Sequence, residues 1–406
     1  MKRILLVKLP EPFRETQKPT YTPPIGLWSI AHNLRRWYRG IFVHVIDCHL
    51  DGGGLDLLKT HARRNWDAIG ISVQFSIQHQ NYLDAVALCN TPVFAGGFHA
   101  AAVPAPKGVT VFRGAGELAL NPLARGEDVE YPAPDEASMI PYWLAGAPHD
   151  LQSTSRRWMP IEFSRGCNNR CGFCGVNGFW GKTQYFELEK IDDYLCRLAE
   201  IGIKELFIED DNFVEVPWMF EQILARLRHL HFSWSMPNGI RIRGIMPYLH
   251  QLKGAGCWRV SLPFETGTRK SARLMRLGAK WLAFEEALTV VQTLKDEGIQ
   301  TCGFFIIGYP GETLADMRET LDYANALPLD QRNIYIATPY PGSPLYDVCV
   351  ENGYLVSGPP QLYEDLLYTR GLIRTEDFTP EQVEDLKRRD RDAAIARKEE
   401  VGSCPS

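Results

Sequence analysis

The sequence of 406 residues contains no apolar run near the roughly 18 residues that a membrane-spanning helix needs, so no spanning segment is expected. It has no block of basic residues, and its formal net charge is −5, so neither nucleic acid nor an anionic membrane surface is an expected partner. The opening "MKRILLVKLPEP" carries only about six apolar residues before a proline, too few for a secretory h-region, and the protein is read as cytoplasmic. No G-x-G-x-x-G follows the first apolar run, so a dinucleotide site would lack its phosphate loop. Cysteine is not scarce, at ten residues, but without an export signal these do not suggest a disulfide framework. Seven of them (Cys48, Cys89, Cys196, Cys257, Cys302, Cys349 and Cys404) stand singly, mostly in apolar or helical contexts where a thiol acts as a small hydrophobe.

What is present is ordinary globular composition, 45% hydrophobic and 23% charged, with enough chain for two domains. Residues 4–114 alternate short Val/Ile/Leu runs ("ILLVKL", "FVHVID", "AIGISV", "PVFAGG", "VTVFRG") with amphipathic stretches. That pattern predicts a five-stranded parallel sheet covered on both faces, an α/β doubly wound, Rossmann-like domain over 1–125, with its ligand beyond the strand carboxyl ends. Residues 126–155 lose periodicity and gain Pro and Ala, which reads as a linker. Over 156–350 a second series begins, with strands at "IEFSRG", "ELFIED", "FSWSM", "WRVSLPFE", "TCGFFIIG" and "NIYIAT". Helices are expected near 188–201, 216–229, 245–254, 282–297 and 312–327. Six strand–helix repeats predict a partial (β/α)6 barrel with its chemistry at the strand carboxyl ends. Residues 351–406 form a C-terminal helical extension, in which Thr379 and Gln382 have capping-box spacing and the charges suggest a solvated helix.

The stretch "SRGCNNRCGFCGVNGFW", residues 164–180, places Cys167, Cys171 and Cys174 as C-x3-C-x2-C directly after the first barrel strand. A structural zinc site normally has four protein ligands in two close pairs, and no second pair is near. Three thiolates on one short loop can instead hold three irons of a [4Fe–4S] cluster and leave the fourth open to a small molecule.

At this point the chain resembles the radical S-adenosylmethionine (SAM) superfamily, whose signature is C-x3-C-x-aromatic-C on the loop after the first strand of a partial barrel, with Phe173 as the aromatic residue. The similarity runs from residue 160 to near 350. "FIEDDNF", "PNGIRIR", "LPFETGT", "FIIGYPGET" and "TPYPGSPLY" follow successive strands as SAM-lining segments do. By that resemblance Glu209 or Asp210 lies near the SAM amino group, Arg241 and Glu265 reach its polar parts, and Gly308 lets backbone approach its adenine. The first domain resembles the cobalamin-binding domain of one radical SAM class, through "TPPIGLWSIAHNLR", "WDAIGISVQFS", "VFAGGFHAAAVP" and "GAGE". This resemblance implies Gly96, Gly97, His99 and Gly114 as cobalamin contacts. A tight turn is the structural alternative for the paired glycines, and a loop histidine for His99. "DCHLDG", residues 47–52, fits D-x-H-x-x-G, in which cobalamin-dependent methionine synthases supply a histidine to cobalt. Here it follows the second strand rather than the first, so His49 is set aside and the lower axial face is assigned to the loop bearing Gln74 and Phe75.

Together these resemblances imply a cobalamin-dependent radical SAM methyltransferase. One SAM would yield a 5′-deoxyadenosyl radical, a second would methylate cobalamin, and an unactivated substrate carbon would take the methyl group. The protein's part is orientation and exclusion of water. The expected substrate is a peptide or protein residue, as in methyl-coenzyme M reductase, or a small molecule; the expected electron donor is a ferredoxin or flavodoxin. Tyr309 and Tyr340, in strand-end loops, are candidates to exchange a proton with substrate, with aromatic packing as the alternative. Rearrangement, dehydration or cyclisation of a natural-product intermediate is the competing chemistry. A non-catalytic sensor would leave the SAM-lining segments unexplained. A methylthiotransferase would need three further cluster cysteines in the first domain, where only Cys48 and Cys89 occur.

Overall fold

The computed structural model describes residues 2–11, 22–50, 53–119, 129–130, 136–145 and 157–402. Most of the expected linker, together with Asp51, Gly52 and Cys404, lies outside them. The first domain alternates β1 (Arg3–Lys8), α1 (Ile25–Trp37), β2 (Phe42–Asp47), α2 (Gly54–Ala62), β3 (Ala68–Ser72), α3 (His79–Ala87), β4 (Val93–Gly96), α4 (Phe98–Ala102), β5 (Val109–Val111) and α5 (Gly116–Ala119). The strands form one sheet in the order β2-β1-β3-β4-β5, with every neighbouring pair parallel. This is the doubly wound arrangement its apolar runs predict. Its core is Leu5, Val7, Ile46, Ile69, Ile71, Val93 and Ala95 on one face, with Leu6, Leu27, Leu34 and Val43 on the other.

Several helices were not legible in the sequence, among them those at Val176–Trp180 and Arg269–Leu274, and another lies in the expected linker. Within the expected linker, α6 (Glu136–Ala145) forms despite Pro141. Packing outweighs propensity here: Met139 and Tyr142 are buried, the Tyr142 hydroxyl donates to Asp47 Oδ2 at 2.9 Å, and the Trp143 indole donates to the Trp158 carbonyl at 2.8 Å.

The second series runs β6 (Trp158–Ile161), β7 (Ser164–Arg165), α7 (Val176–Trp180), β8 (Gln184–Tyr185), α8 (Leu188–Glu200), β9 (Glu205–Ile208), α9 (Pro217–His229), β10 (Ser233–Met236), α10 (Ile242–Ile245), α11 (Leu249–Leu252) and β11 (Cys257–Glu265). It continues with α12 (Arg269–Leu274), α13 (Phe284–Asp296), β12 (Gln300–Ile307), α14 (Leu314–Ala326), β13 (Gln331–Ile336), α15 (Pro344–Glu351), α16 (Gln361–Asp365) and α17 (Pro380–Gly402). Its main sheet has six strands in the order β13-β12-β11-β10-β9-β6, as a partial barrel requires. The first barrel strand lies earlier than "IEFSRG", residues 161–166, suggests, and overlaps it only at Ile161. It ends at Ile161, and Ser164–Arg165 pairs antiparallel with Gln184–Tyr185, so that the cysteine loop is closed at its base by a small hairpin. The helix expected at 245–254 is broken into α10, a 3₁₀ turn at Met246–Tyr248 and α11, because Pro247 cannot donate its backbone hydrogen bond.

The C-terminal extension is less solvated than its charge suggests. The capping box at α17 is present, with Thr379 N donating to Gln382 Oε1 at 2.9 Å and Gln382 N to Thr379 Oγ1 at 3.4 Å. Ile373, Phe378 and Val383 are buried in a core shared with Ile307 and Ile336, and Arg332 binds Asp390 at 2.6 Å.

Compactness divides the chain differently from its domain pattern. One unit takes residues 1–168, 175–238 and 254–258, and thus joins the first sheet to β6, β9 and β10. The other takes 169–174, 239–253 and 259–406. In the first unit, Tyr142, Trp158, Phe207 and Trp258 form an apolar cluster against which Trp28 and Leu50 pack.

Candidate cofactor site at the strand ends

In the first domain the loops after β3, β4 and β5 are shaped by glycine and by one glutamine. Gln78 Oε1 accepts from the backbone N–H groups of Gln74 and Phe75 at 3.0 and 3.1 Å, holding the loop after β3 with Phe75 half exposed. Gly97 has φ +102°, and a Cβ there would lie 2.5 Å from the Val73 carbonyl oxygen, so only glycine lets the ends of β3 and β4 approach. Side chains at Gly96 and Gly114 would point into open space. His99 is buried, and its Nε2 lies 2.9 Å from His79 Nδ1. Burial and the neighbouring His79 hold its pKa down at about 3, so the ring is neutral. The His99 ring thus packs inside the domain against His79. His49 is also buried, with Nδ1 accepting from Glu11 N at 3.1 Å.

The loop carrying the cysteines is anchored by aspartates from the end of β9. Asp210 Oδ1 accepts from Phe163 N at 2.8 Å and Oδ2 from the Ser164 hydroxyl at 2.6 Å, all buried. Burial raises its pKa well above the usual carboxylate range, against the pull of those donors. Asp211 Oδ2 accepts from Gly166 N at 3.0 Å, and burial raises its pKa to about 6. Asn177 donates to the Cys167 carbonyl at 2.8 Å. Glu209, by contrast, keeps its carboxylate out of these bonds; burial and the nearby Glu162 lift its pKa to about 7. Of the two acidic candidates, Asp210 is spent on the fold and Glu209 is the half-buried one.

Arg165, two residues before Cys167, is the hub of the first unit. Its Nε donates to Glu162 Oε2 at 2.8 Å, its NH1 lies 3.4 Å from Glu117 Oε2, and its guanidinium sits 5.0 Å from the Trp180 ring centre. Glu117, in the "GAGE" segment after β5, is buried and also accepts from Ser29 at 2.6 Å. Burial opposes its charge, but Arg165 and Ser29 hold its pKa below the ordinary value. Beside this pair, Phe98 of α4 stacks on Phe179 of α7 with ring centres 4.2 Å apart. A strand-end loop of the first domain is thus bonded to the segment that carries the cysteine motif.

In the second unit, Cys171 is buried and Cys174 half-buried. The Gly172 N–H donates to the Met275 carbonyl at 2.7 Å, and a Cβ at Gly172 would overlap the Tyr309 hydroxyl. Glu265, at φ +66°, binds Lys280 Nζ at 2.6 Å. Arg241 stands at the residue before α10 and is half-buried. Gly308 has φ +85°, and a Cβ would lie 3.0 Å from Val383. Tyr309 is buried, with its pKa raised to about 12 by desolvation. The Tyr340 hydroxyl donates to the Leu366 carbonyl at 3.3 Å, and burial raises its pKa further. Both phenols therefore stay protonated near neutral pH. Among the described residues no group of three or more His, Cys, Asp or Glu is arranged around a single metal ion; a four-iron cluster spreads its thiolates over separate corners and needs no such convergence.

Glu117, Arg165, Asp211, Lys280 and Glu312 are the residues that sequence reasoning passed over. Arg165, Glu117, Asp211 and Glu312 lie inside the strand-end motifs and were legible in principle. Lys280 carries no local signal, because it meets Glu265 only through the fold.

Residues 161–324 match the model of the radical SAM superfamily. The chain is similar in structure to TsrM from Kitasatospora setae, a radical SAM methyltransferase solved with cobalamin and a [4Fe–4S] cluster, at TM-score 0.69 and 17% identity over 89% of this chain and 80% of that one. It is similar also to the cobalamin-dependent SAM radical enzyme OxsB, solved with aqua-cobalamin and SAM, at TM-score 0.64 and 16% identity over 90% and 56% of the two chains. At such identities the likeness establishes the shared fold. Among sequence relatives, cytidylyl-2-hydroxyethylphosphonate methyltransferase of Streptomyces wedmorensis is 26% identical over 61% of this chain and 47% of its own length. An uncharacterized methyltransferase of Pyrococcus horikoshii is 26% identical over 91% and 87%. The chain thus spans about half the length of the first and most of the second. No described helix is long and apolar enough to cross a membrane.

Proposed function

We propose that the protein is a cobalamin-dependent radical SAM C-methyltransferase that moves a methyl group from SAM to an unactivated carbon. One observation carries this reading. Three cysteines spaced C-x3-C-x2-C follow β6 where the radical SAM match begins, and Arg165 of the same segment is bonded to Glu117 at the glycine-lined carboxyl ends of a doubly wound sheet. The donor set fits the cofactors. Cys167, Cys171 and Cys174 would hold the cluster, with Gly172 leaving room for close packing of their loop. Glu209, Arg241, Glu265 and Gly308 would line SAM, while Asp210 holds the loop in place. Gly96, Gly97 and Gly114 would admit cobalamin, and Gln74 and Phe75 would face its lower side, with His99 packed against His79 inside the domain.

Bound there, the cluster and SAM would supply a 5′-deoxyadenosyl radical, and cobalamin the methyl group. The chain's own residues orient these parts: Asp210 and Asp211 fix the base of the cysteine loop, and Arg165 ties it to the first domain. Tyr309 and Tyr340, with hydroxyls buried or bonded, shape the second unit. The electron enters from a low-potential donor of the ferredoxin or flavodoxin class. TsrM has been solved with a tryptophan substrate, and the Streptomyces relative is named for a nucleotide-linked phosphonate. We therefore assign a small molecule, ahead of a peptide or protein residue, as the substrate.

The test is an anaerobic assay of reconstituted protein with cobalamin, SAM, a low-potential reductant and candidate substrates, in which 5′-deoxyadenosine and S-adenosylhomocysteine are quantified together. Comparable amounts of both support C-methylation. Deoxyadenosine with no homocysteine product overturns methyl transfer in favour of rearrangement, dehydration or cyclisation.

A further inference from the structure

The segment 275–280 packs against the cysteine loop at two points. Its Met275 carbonyl accepts from Gly172 N, and its Lys280 ends beside Phe173, with the ammonium 5.8 Å from the ring centre. Lys280 is an unusual place for a lysine. Its side chain is only 13% exposed, and its partner Glu265 is 7% exposed. Burying an ammonium is costly unless charge nearby offsets it. Glu265 supplies one such charge at 2.6 Å, and the thiols of Cys171 and Cys174 lie close enough that their ionised forms also favour the cation. Glu265 itself is held in the left-handed region at φ +66°, a conformation that a non-glycine residue adopts only when its surroundings impose it. The ion pair is therefore built into the site rather than lying on a mobile surface.

We propose that Lys280 is a charge-compensating residue for the metal cluster: its fixed ammonium, oriented by Glu265, offsets negative charge on the Cys171 and Cys174 side and makes the cluster easier to reduce. This rests on the assignment of the three cysteines as cluster ligands. The reasoning is electrostatic. Adding one electron from the low-potential donor makes the cluster more negative by one unit, and a nearby cation in a region of low dielectric stabilises that state more than the oxidised one. Net charge and hydrogen bonds around the sulfurs are the ordinary means by which a protein sets such a potential. Glu265 has the opposite sign, so the two residues are expected to act in opposite directions.

The experiment measures the midpoint potential of the reconstituted cluster in the full chain, without SAM, by the electron paramagnetic resonance signal at set potentials. Iron and sulfide content are determined alongside. Lys280→Met is expected to load a cluster whose midpoint is shifted to a more negative potential, Lys280→Arg to stay close to wild type, and Glu265→Gln to shift to a more positive potential. A fully loaded Lys280→Met protein with the wild-type midpoint overturns the proposal. Where Lys280→Met loads no cluster, Glu265→Gln decides: a more positive midpoint supports the proposal, and an unchanged or more negative one overturns it. Failure of the wild-type protein itself to bind iron and sulfide overturns the cluster assignment instead, so the two failures are told apart.

Discussion

Gly172 shows how closely the cysteine loop is fitted to its surroundings. Its N–H is used by the Met275 carbonyl, and the space a side chain would take is filled by the Tyr309 hydroxyl, with Tyr309 Cζ next at 3.3 Å. Gly172→Ala is therefore expected to push Tyr309 or the loop aside, and to lower bound iron and sulfide several-fold at equal protein concentration. Tyr309→Phe removes the overlapping oxygen and leaves the ring contact, so the double variant should recover most of the metal. An equally poor load in single and double variants would show that Tyr309 is not what confines the loop. At this scale the sequence was readable where a residue type is tied to a spacing, as at Cys167, Cys171 and Cys174. It was not readable where function depends on which of two neighbours turns inward. Glu209 and Asp210 are adjacent in a strand-end segment, and alternation across the strand buries Asp210 against Phe163 and Ser164 while Glu209 stays half-buried.

The turn between β12 and α14 is held by Glu312, inside the segment "FIIGYPGET". Glu312 Oε2 accepts from Tyr309 N at 2.7 Å, and Glu312 N donates back to the Tyr309 carbonyl at 3.0 Å. The side chain is fully buried, and burial raises its pKa from 4.5 to about 7 despite the donors around it. Between those values the folded state binds a proton that the unfolded chain has released. The Glu312 contribution to stability thus falls as pH rises from about 4.5 to 7, by on the order of 3 kcal/mol in all. Glu312→Gln keeps an acceptor for Tyr309 N and does not ionise. Its melting temperature relative to wild type should rise steadily from pH 5 to pH 8 and level off above; a difference independent of pH would show that Glu312 ionises normally. Elements were the most legible scale. Strong helical periodicity placed α8, α9, α13 and α14 to within about two residues, the usual uncertainty of helix ends. The failures have physical causes: Pro247 divides one expected helix, and α6 forms from a proline-containing segment because Tyr142 and Trp143 find partners distant in sequence.

On the scale of the whole molecule, the sequence pattern suggests two domains joined by a linker, whereas compactness assigns the first sheet and β6, β9 and β10 to one unit. The cause is specific. Arg165 is bonded to Glu117, Phe98 is stacked on Phe179, and Trp28 and Leu50 pack on a cluster that includes Trp158 and Phe207. None of these pairs is visible as a motif, because each joins residues far apart in the chain. Mechanical unity of this kind has a measurable consequence. A ligand that binds only the folded form stabilises whatever unfolds together with its site, by about 2.7 kcal/mol at a concentration 100 times its Kd, or a roughly 100-fold slowing of exchange through that opening. Cobalamin bound to the first sheet should therefore slow amide hydrogen exchange not only in β1, β3 and β4 but also in β6 and β9. In Glu117→Gln, which loses the charge that holds Arg165, the protection should persist in the first sheet and shrink in β6 and β9. Protection confined to the first sheet in the wild-type protein would mean that the two parts open independently, and that the bonds to Arg165 do not couple cobalamin binding to the segment that carries the cysteines.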